Sequence, residues 1–207
     1  MGETKQGFES DTAFNLCKTY IDLMAEKRFD KISVKEITTR CGVARSTFYL
    51  HFEDTFDMLE KIEKMLLRQL VLYKRPNNSD LGSGTPFESM ERWFSVGITW
   101  GKTLKALLGD NGDPYFYRRL QNQIRENLNS MMDFDGAPRD ERRPYYVELL
   151  TASYIGILNY ITSAENEDDL ISVREMASIA NSTRAAYFRT DQDAPYLSDE
   201  QLFGSEE

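Results

Sequence analysis

The chain has 207 residues, 41% of them hydrophobic and 12% aromatic, with 29% charged and a formal net charge of −9. That content is too apolar for a disordered chain, and no run approaches the roughly 18 apolar residues a membrane helix needs. Cys17 and Cys41 are the only cysteines, too few for a disulfide framework or a four-ligand zinc site, and both read as core residues.

The amino terminus has no apolar stretch behind a basic start, and Gln6 stands where an acylation signal wants Ser or Thr, so a cytoplasmic protein without a membrane partner is expected. From Ser10 to Glu26 the apolar positions Phe14, Cys17, Ile21, Leu23 and Met24 recur at helical spacing behind the caps Ser10 and Asp11. Ser33-Val34-Lys35-Glu36 has the form of a capping box, and it opens a two-turn helix that Gly42 stops. Ala44 to His51 then holds two more turns, with Phe48 and Phe52 on one face. Asp54 caps a longer helix carrying Phe56, Leu59, Ile62, Met65, Leu66, Leu70 and Tyr73, which ends before Pro76.

Polar, turn-forming residues from Arg75 to Pro86 follow this connector. Beyond them the pattern predicts an apolar helix from Phe87 to Leu108, a breaker cluster Gly109 to Pro114, and a helix from Tyr115 to Met132. After a loop come a helix from Tyr145 to Ser163 and, behind a second capping box at Ser172 to Glu175, a last helix to about Phe188. The division read from this is a first helical domain over 1–54, a larger helical domain over 55–190, and a flexible acidic tail over 191–207. No segment alternates at period two for long, so the fold class is all-α: a three-helix helix-turn-helix domain followed by a larger helical domain.

Charge is uneven along this order. Residues 1–75 hold 13 Lys and Arg against 12 Asp and Glu, and residues 76–207 hold 12 against 22. Within 27–51 stand Lys27, Arg28, Lys31, Lys35, Arg40 and Arg45 against Asp30 and Glu36, the one basic patch. Two short helices at a tight turn, the second opening Arg45-Ser46-Thr47, can place a helix in a major groove; an ordinary helical hairpin would carry the same pattern.

Phe29 to Leu59, with Phe-Asp-Lys-Ile-Ser-Val-Lys-Glu-Ile and then Cys-Gly-Val-Ala-Arg-Ser-Thr-Phe-Tyr-Leu-His-Phe, resembles the amino-terminal domain of the TetR family of bacterial transcription regulators. The resemblance spans roughly residues 10 to 66 and makes Gly42 the turn, Ala44 to His51 the recognition helix, and Tyr49 and Phe52 the aromatic pair that closes it. It implies that Arg45, Ser46 and Thr47 face bases or nearby phosphates, that Tyr49 and His51 touch the backbone, and that Ser33 and Lys35 anchor the other side. Two departures stand out: Ser46 where the family most often has Gly, and Thr55 where a phosphate-binding Lys is usual. Leu104 to Phe116, Tyr145 to Glu148 and Gly156 to Tyr160 are similar to the carboxy-terminal branch that includes regulators of dihydroxyacetone kinase operons, with Ile161 where that branch commonly has Trp.

The resemblance implies a homodimer joined through the last two long helices, where Ala152, Ser153, Gly156, Leu158, Ile161, Met176, Ile179 and Thr183 are the expected contacts. Intramolecular core packing is the competing reading of the same residues. Met90, Trp93, Phe94, Trp100, Tyr117, Met131, Met132 and Tyr154 are the candidates to line a small-molecule effector pocket. The function expected is a transcription regulator, a repressor by family habit, binding a palindromic operator; the alternative is a protein that keeps the fold but binds another regulator instead of DNA. An enzyme is not expected and no cofactor or metal is implied. His51 is the sole histidine, Gly82-Ser83-Gly84 lacks the following Lys of a phosphate loop, and Asp110 to Pro114 puts Gly112 and Pro114 where a calcium loop wants oxygen ligands.

Overall fold

The computed structural model describes residues 8, 10–71 and 86–185. The predicted helix end at Tyr73, the turn-forming stretch up to 85, the last residues of the final helix to Phe188 and the acidic tail lie outside the described residues. Those that are described form helices α1 (Asp11–Met24), α2 (Val34–Cys41), α3 (Arg45–Tyr49), α4 (Thr55–Gln69), α5 (Pro86–Thr99), α6 (Gly101–Leu108), α7 (Pro114–Phe134), α8 (Arg143–Ser163) and α9 (Val173–Ala185), with no strand among them. No helix among the described residues is long and apolar enough to cross a membrane.

The helix starts follow their caps. Ser10 accepts the Ala13 N–H at 3.1 Å, Asp54 accepts from Phe56 and Asp57 at 2.8 Å each, and Asp113 accepts from Tyr115 at 3.0 Å. Both capping boxes form: Glu36 and Glu175 each return a carboxylate to the backbone N–H of Ser33 and Ser172 at 3.0 Å. Gly42 ends α2 at φ 73°, a left-handed turn that a β-carbon would strain, and the Val43 N–H closes it on Thr38 O at 3.0 Å.

The predicted single helix from Phe87 to Leu108 is two. At Trp100 the backbone leaves helical values (φ −106°, ψ 21°), and the next residue is Gly101, a weak helix former. The Trp100 ring is buried, and its Nε1–H donates to Gln69 Oε1 at 2.9 Å. The break turns α6 toward α1. A 3-10 turn at Phe29–Lys31, unforeseen in the sequence, joins α1 to α2.

One continuous core runs from α1 through α4 to α9. Cys17 lies inside it, where burial pushes the thiol pKa up and leaves it unreactive. The end of α4 is held by the larger helical layer: Gln123 Nε2 donates to the carbonyls of Leu67 and Leu70 at 2.9 Å, and Trp93 Nε1 donates to Leu70 O at 3.0 Å. These are carbonyls that a helix end leaves without intrahelical partners. The buried Glu63 of α4 pairs with Arg119 of α7, and burial raises its carboxyl pKa to about 7 against the pull of that guanidinium. The boundary drawn at residue 54 thus falls at the start of a helix built into both layers.

A second link runs through the loop between α6 and α7. Asn111 Nδ2 donates to Met24 O, the terminal carbonyl of α1, and Asn111 O accepts the Phe29 N–H, each at 2.9 Å.

Candidate nucleic-acid interface

Helices α1, α2 and α3 pack together, and Phe48 is the anchor of α3: fully buried, its ring lies 5.5 Å from that of Phe52. With Phe48 directed inward, Arg45, Ser46, Tyr49 and Leu50 all stand exposed around the outer side of one short helical segment. Thr47 and His51 are half-buried at its flanks. The helix expected to serve as the recognition helix is shorter than predicted, Arg45–Tyr49 rather than Ala44 to His51, because Leu50 and His51 form the closing turn.

The basic patch is smaller than its residue count. Lys27 pairs with Glu36, Arg28 and Lys31 share Asp30 at 3.3 and 4.0 Å, and Arg40 reaches Glu26 at 2.5 Å. Lys35 and Arg45 are exposed and have no ion-pair partner among the described residues. The two unneutralised cations are therefore those the resemblance places against DNA, one on each short helix.

Ser33 is committed locally. Its hydroxyl accepts the Glu36 N–H at 3.3 Å and donates to Glu36 Oε2 at 2.8 Å, and its own N–H goes to the same oxygen. Hydrogen bonds from Lys27 and from the Ser33 backbone pull the Glu36 carboxyl pKa down to about 2, so it stays ionised. Both donors of Ser33, its N–H and its hydroxyl, are thus engaged on the Glu36 carboxylate, while Lys35 on the same helix stands exposed.

The start of α4 is acidic. Asp54 fills the first-turn N–H groups, the Glu53 N–H donates to Asp57 Oδ2 at 3.0 Å, and Thr55 offers no cation. Lys61 instead ties α4 to α3, donating to His51 O at 2.9 Å, lying 5.3 Å over the Phe52 ring and pairing with Asp57 at 3.0 Å. Leu50, 79% exposed, is the surface residue of this face that sequence reading missed. Its spacing of four from Ser46 was the available signal.

Six of the expected effector-lining residues, Met90, Trp93, Phe94, Trp100, Met131 and Tyr154, lie in one packed core, while Met132 sits in a separate small cluster with Ala137 and Val147. Trp93 meets Tyr154 edge to face at 5.3 Å, Phe94 stacks on Tyr154 at 5.7 Å, and Met90, Trp100, Met131 and Met132 are buried with at most 2% exposure. Tyr117 stands apart on the outside of α7, 38% exposed, accepting from Gln121 at 3.1 Å. The Tyr154 hydroxyl is buried without a hydrogen-bond partner among the described residues.

The expected dimer contacts divide. Ala152 and Gly156 are exposed on α8, Ser153 is half-buried, and Ile179 and Thr183 reach the surface of α9. Leu158, Ile161 and Met176 do not: they are at most 5% exposed and sit in the chain's own core, so the competing intramolecular reading holds for these three. The outer side of α8 carries instead Tyr145, Leu149 and Tyr160, 79%, 55% and 68% exposed, in line with Ala152 and Gly156 at helical spacing.

Two short helices at a left-handed glycine turn, braced by α1 and presenting a solvent-facing second helix, define a helix-turn-helix protein. Residues 21–62 match the sequence pattern of the family described as bacterial regulatory proteins, tetR family. This amino-terminal segment is thus similar to that of bacterial transcription regulators. An uncharacterized HTH-type transcriptional regulator of Haemophilus influenzae is 33% identical over 104 residues, covering 49% of this chain and 47% of the relative, so the chain spans about half the length of the curated relative it matches.

Solved structures share the fold over most of the chain. The dihydroxyacetone kinase operon activator DhaS superposes with a TM-score of 0.59 at 17% identity, over 85% of this chain and 95% of its own. The triclosan complex of SmeT gives 0.58 at 14%, over 92% and 100%. MexZ, a repressor responsible for antibiotic resistance in Pseudomonas aeruginosa, gives 0.57 at 11%, over 89% and 98%.

Proposed function

We propose that the protein is a homodimeric transcription regulator that binds a palindromic operator through α3 and represses until a small-molecule effector alters the spacing of its two recognition helices. The observation that carries this reading is the pair of unneutralised, exposed cations, Lys35 on α2 and Arg45 on α3, on either side of the glycine turn. Arg45 suits a bidentate contact to guanine, Ser46 and Thr47 suit base edges or phosphates, Tyr49 and His51 suit the backbone, and Leu50 suits a thymine methyl.

One five-residue helix reads too few base pairs alone, and a two-fold partner supplies a second about 34–36 Å away. The apolar outer side of α8 supports such a partner, since a helix apolar on both sides is one that is covered on both sides. Effector response is supported by the unpartnered Tyr154 hydroxyl, which a ligand entering the aromatic cluster would satisfy. Among the structural relatives, one is a triclosan complex and one a repressor.

The acidic start of α4 favours a second reading, in which the domain binds another regulator and not DNA. Fluorescence anisotropy on DNA from upstream of the protein's own gene, against scrambled DNA and across a salt series, separates the two. The operator reading expects tight binding that scrambled DNA cannot displace, with a steep salt slope. Absence of binding to DNA selected from the whole genome, by folded protein, would favour the second.

A further inference from the structure

A cavity of about 470 Å³ lies between α1, α6 and the end of α8, and neither α2, α3 nor Tyr154 lines it. Its floor is apolar, with Phe14, Ile98 and Ile161. Its rim carries Lys18 from α1 and Lys102 and Lys105 from α6, the latter two three residues apart on one helix face. Residues 76–207, which supply α6, hold 12 basic against 22 acidic side chains, so lysines gathered on one wall run against the charge of their own domain.

Lys102 is held by Asp22 at 2.5 Å, whereas Lys18 and Lys105 have no ion-pair partner among the described residues. Glu165 also lines the cavity and forms no ion pair with them. With Lys102 held by Asp22, Lys18 and Lys105 are the two cations of this rim that an anion could pair with, against the single carboxylate of Glu165. The volume lies in the range of about 300–1,000 Å³ typical of small-molecule sites.

We infer that this cavity is a binding site for a small amphipathic anion, a carboxylate or phosphate on an aliphatic body, with the head between Lys18 and Lys105 and the body against Phe14, Ile98 and Ile161. Such a ligand touches α1 of the DNA-binding layer and α6 of the larger layer at once, and it bridges two elements whose spacing positions α2 and α3. As the site of a regulatory effector it rests on the proposed function; as a binding site it does not.

The test is isothermal titration calorimetry of the full chain with decanoate, decyl phosphate and decanol, with no DNA present. Binding of either anion with little or none of decanol is expected, and the tighter of the two names the head group. The variant Lys18→Gln/Lys105→Gln, which changes two exposed side chains without ion-pair partners among the described residues and spares the core, should lose about tenfold or more in affinity for that anion. Lys64→Gln, on the far helix α4, should lose none. No binding of either anion by folded protein, equal binding of decanol, or undiminished binding by the double variant would overturn the site. Failure of this titration beside specific operator binding would leave the regulator reading standing, and the converse result would leave the site standing without it.

Discussion

Gly112→Ala probes the joint between the two layers. A β-carbon at residue 112 would lie 2.1 Å from the Leu107 carbonyl oxygen, 2.6 Å from its carbon and 2.8 Å from the Ala106 oxygen. These are backbone atoms at the end of α6, so no rotamer change relieves the clash, and ordinary contact near 3.4 Å needs a shift of more than about 1 Å. The neighbouring residue is Asn111, whose two 2.9 Å bonds to Met24 and Phe29 dock the loop on the amino-terminal helices. A shift of that size takes both beyond hydrogen-bonding distance. Overpacking strain of about 1–3 kcal/mol plus two lost bonds at about 0.5–1.5 kcal/mol each sums to about 2–6 kcal/mol. At roughly 2–4 °C per kcal/mol for a chain of this length, the melting temperature should fall by about 10 °C, read by circular dichroism at one fixed protein concentration. Asn111→Ala removes only the side-chain bond and leaves the Met24 carbonyl bare, for about 1–3 kcal/mol. Gly112→Ala melting within about 2 °C of the parent would refute the docked loop.

Gly156→Leu adds bulk where nothing lies within 4 Å in the single chain, so the monomer should fold while sedimentation shows it losing the dimer; an unchanged dimer would remove this side of α8 from the interface. Glu63→Gln should flatten the pH dependence of stability. Burial raises the Glu63 pKa from its ordinary 4.5 to about 7, so the folded state holds the proton more tightly and stability falls as pH rises through that window. Equal slopes for parent and variant in urea titrations between pH 5 and pH 8 would contradict that assignment. Lys35→Ala should weaken binding to all DNA alike and reduce the salt slope by about one unit; an unaltered slope takes Lys35 off the phosphate.

Local signals carried far in this chain. Ser33 with Glu36, Ser172 with Glu175, and Gly42 are short-range devices whose chemistry is complete within four residues, and all three form as the sequence implies. The faces of α8 were not legible in the same way. The sequence shows a helical stripe of Tyr146, Leu149, Leu150, Tyr154, Ile157, Leu158 and Ile161, but on a helix apolar nearly all round that stripe mixes sides: Leu150, Tyr154, Leu158 and Ile161 are buried whereas Leu149 is exposed. The strength of the basic patch was hidden because Glu26 lies outside the window that defines it, and Asp30 serves two cations. Likewise the lysine-rimmed cavity draws Lys18 and Lys105 from helices more than eighty residues apart, a juxtaposition no local pattern encodes.

If α3 reads bases, Arg45→Ala should remove that readout and leave the fold intact. The Arg45 side chain is exposed and has no ion-pair partner among the described residues, so its loss should leave the melting temperature unchanged. Anisotropy titrations on operator and scrambled DNA at matched salt should then show a loss of about 1–3 kcal/mol on the operator, with little change on scrambled DNA. Equal affinity of parent and variant for the operator would contradict direct readout by this helix.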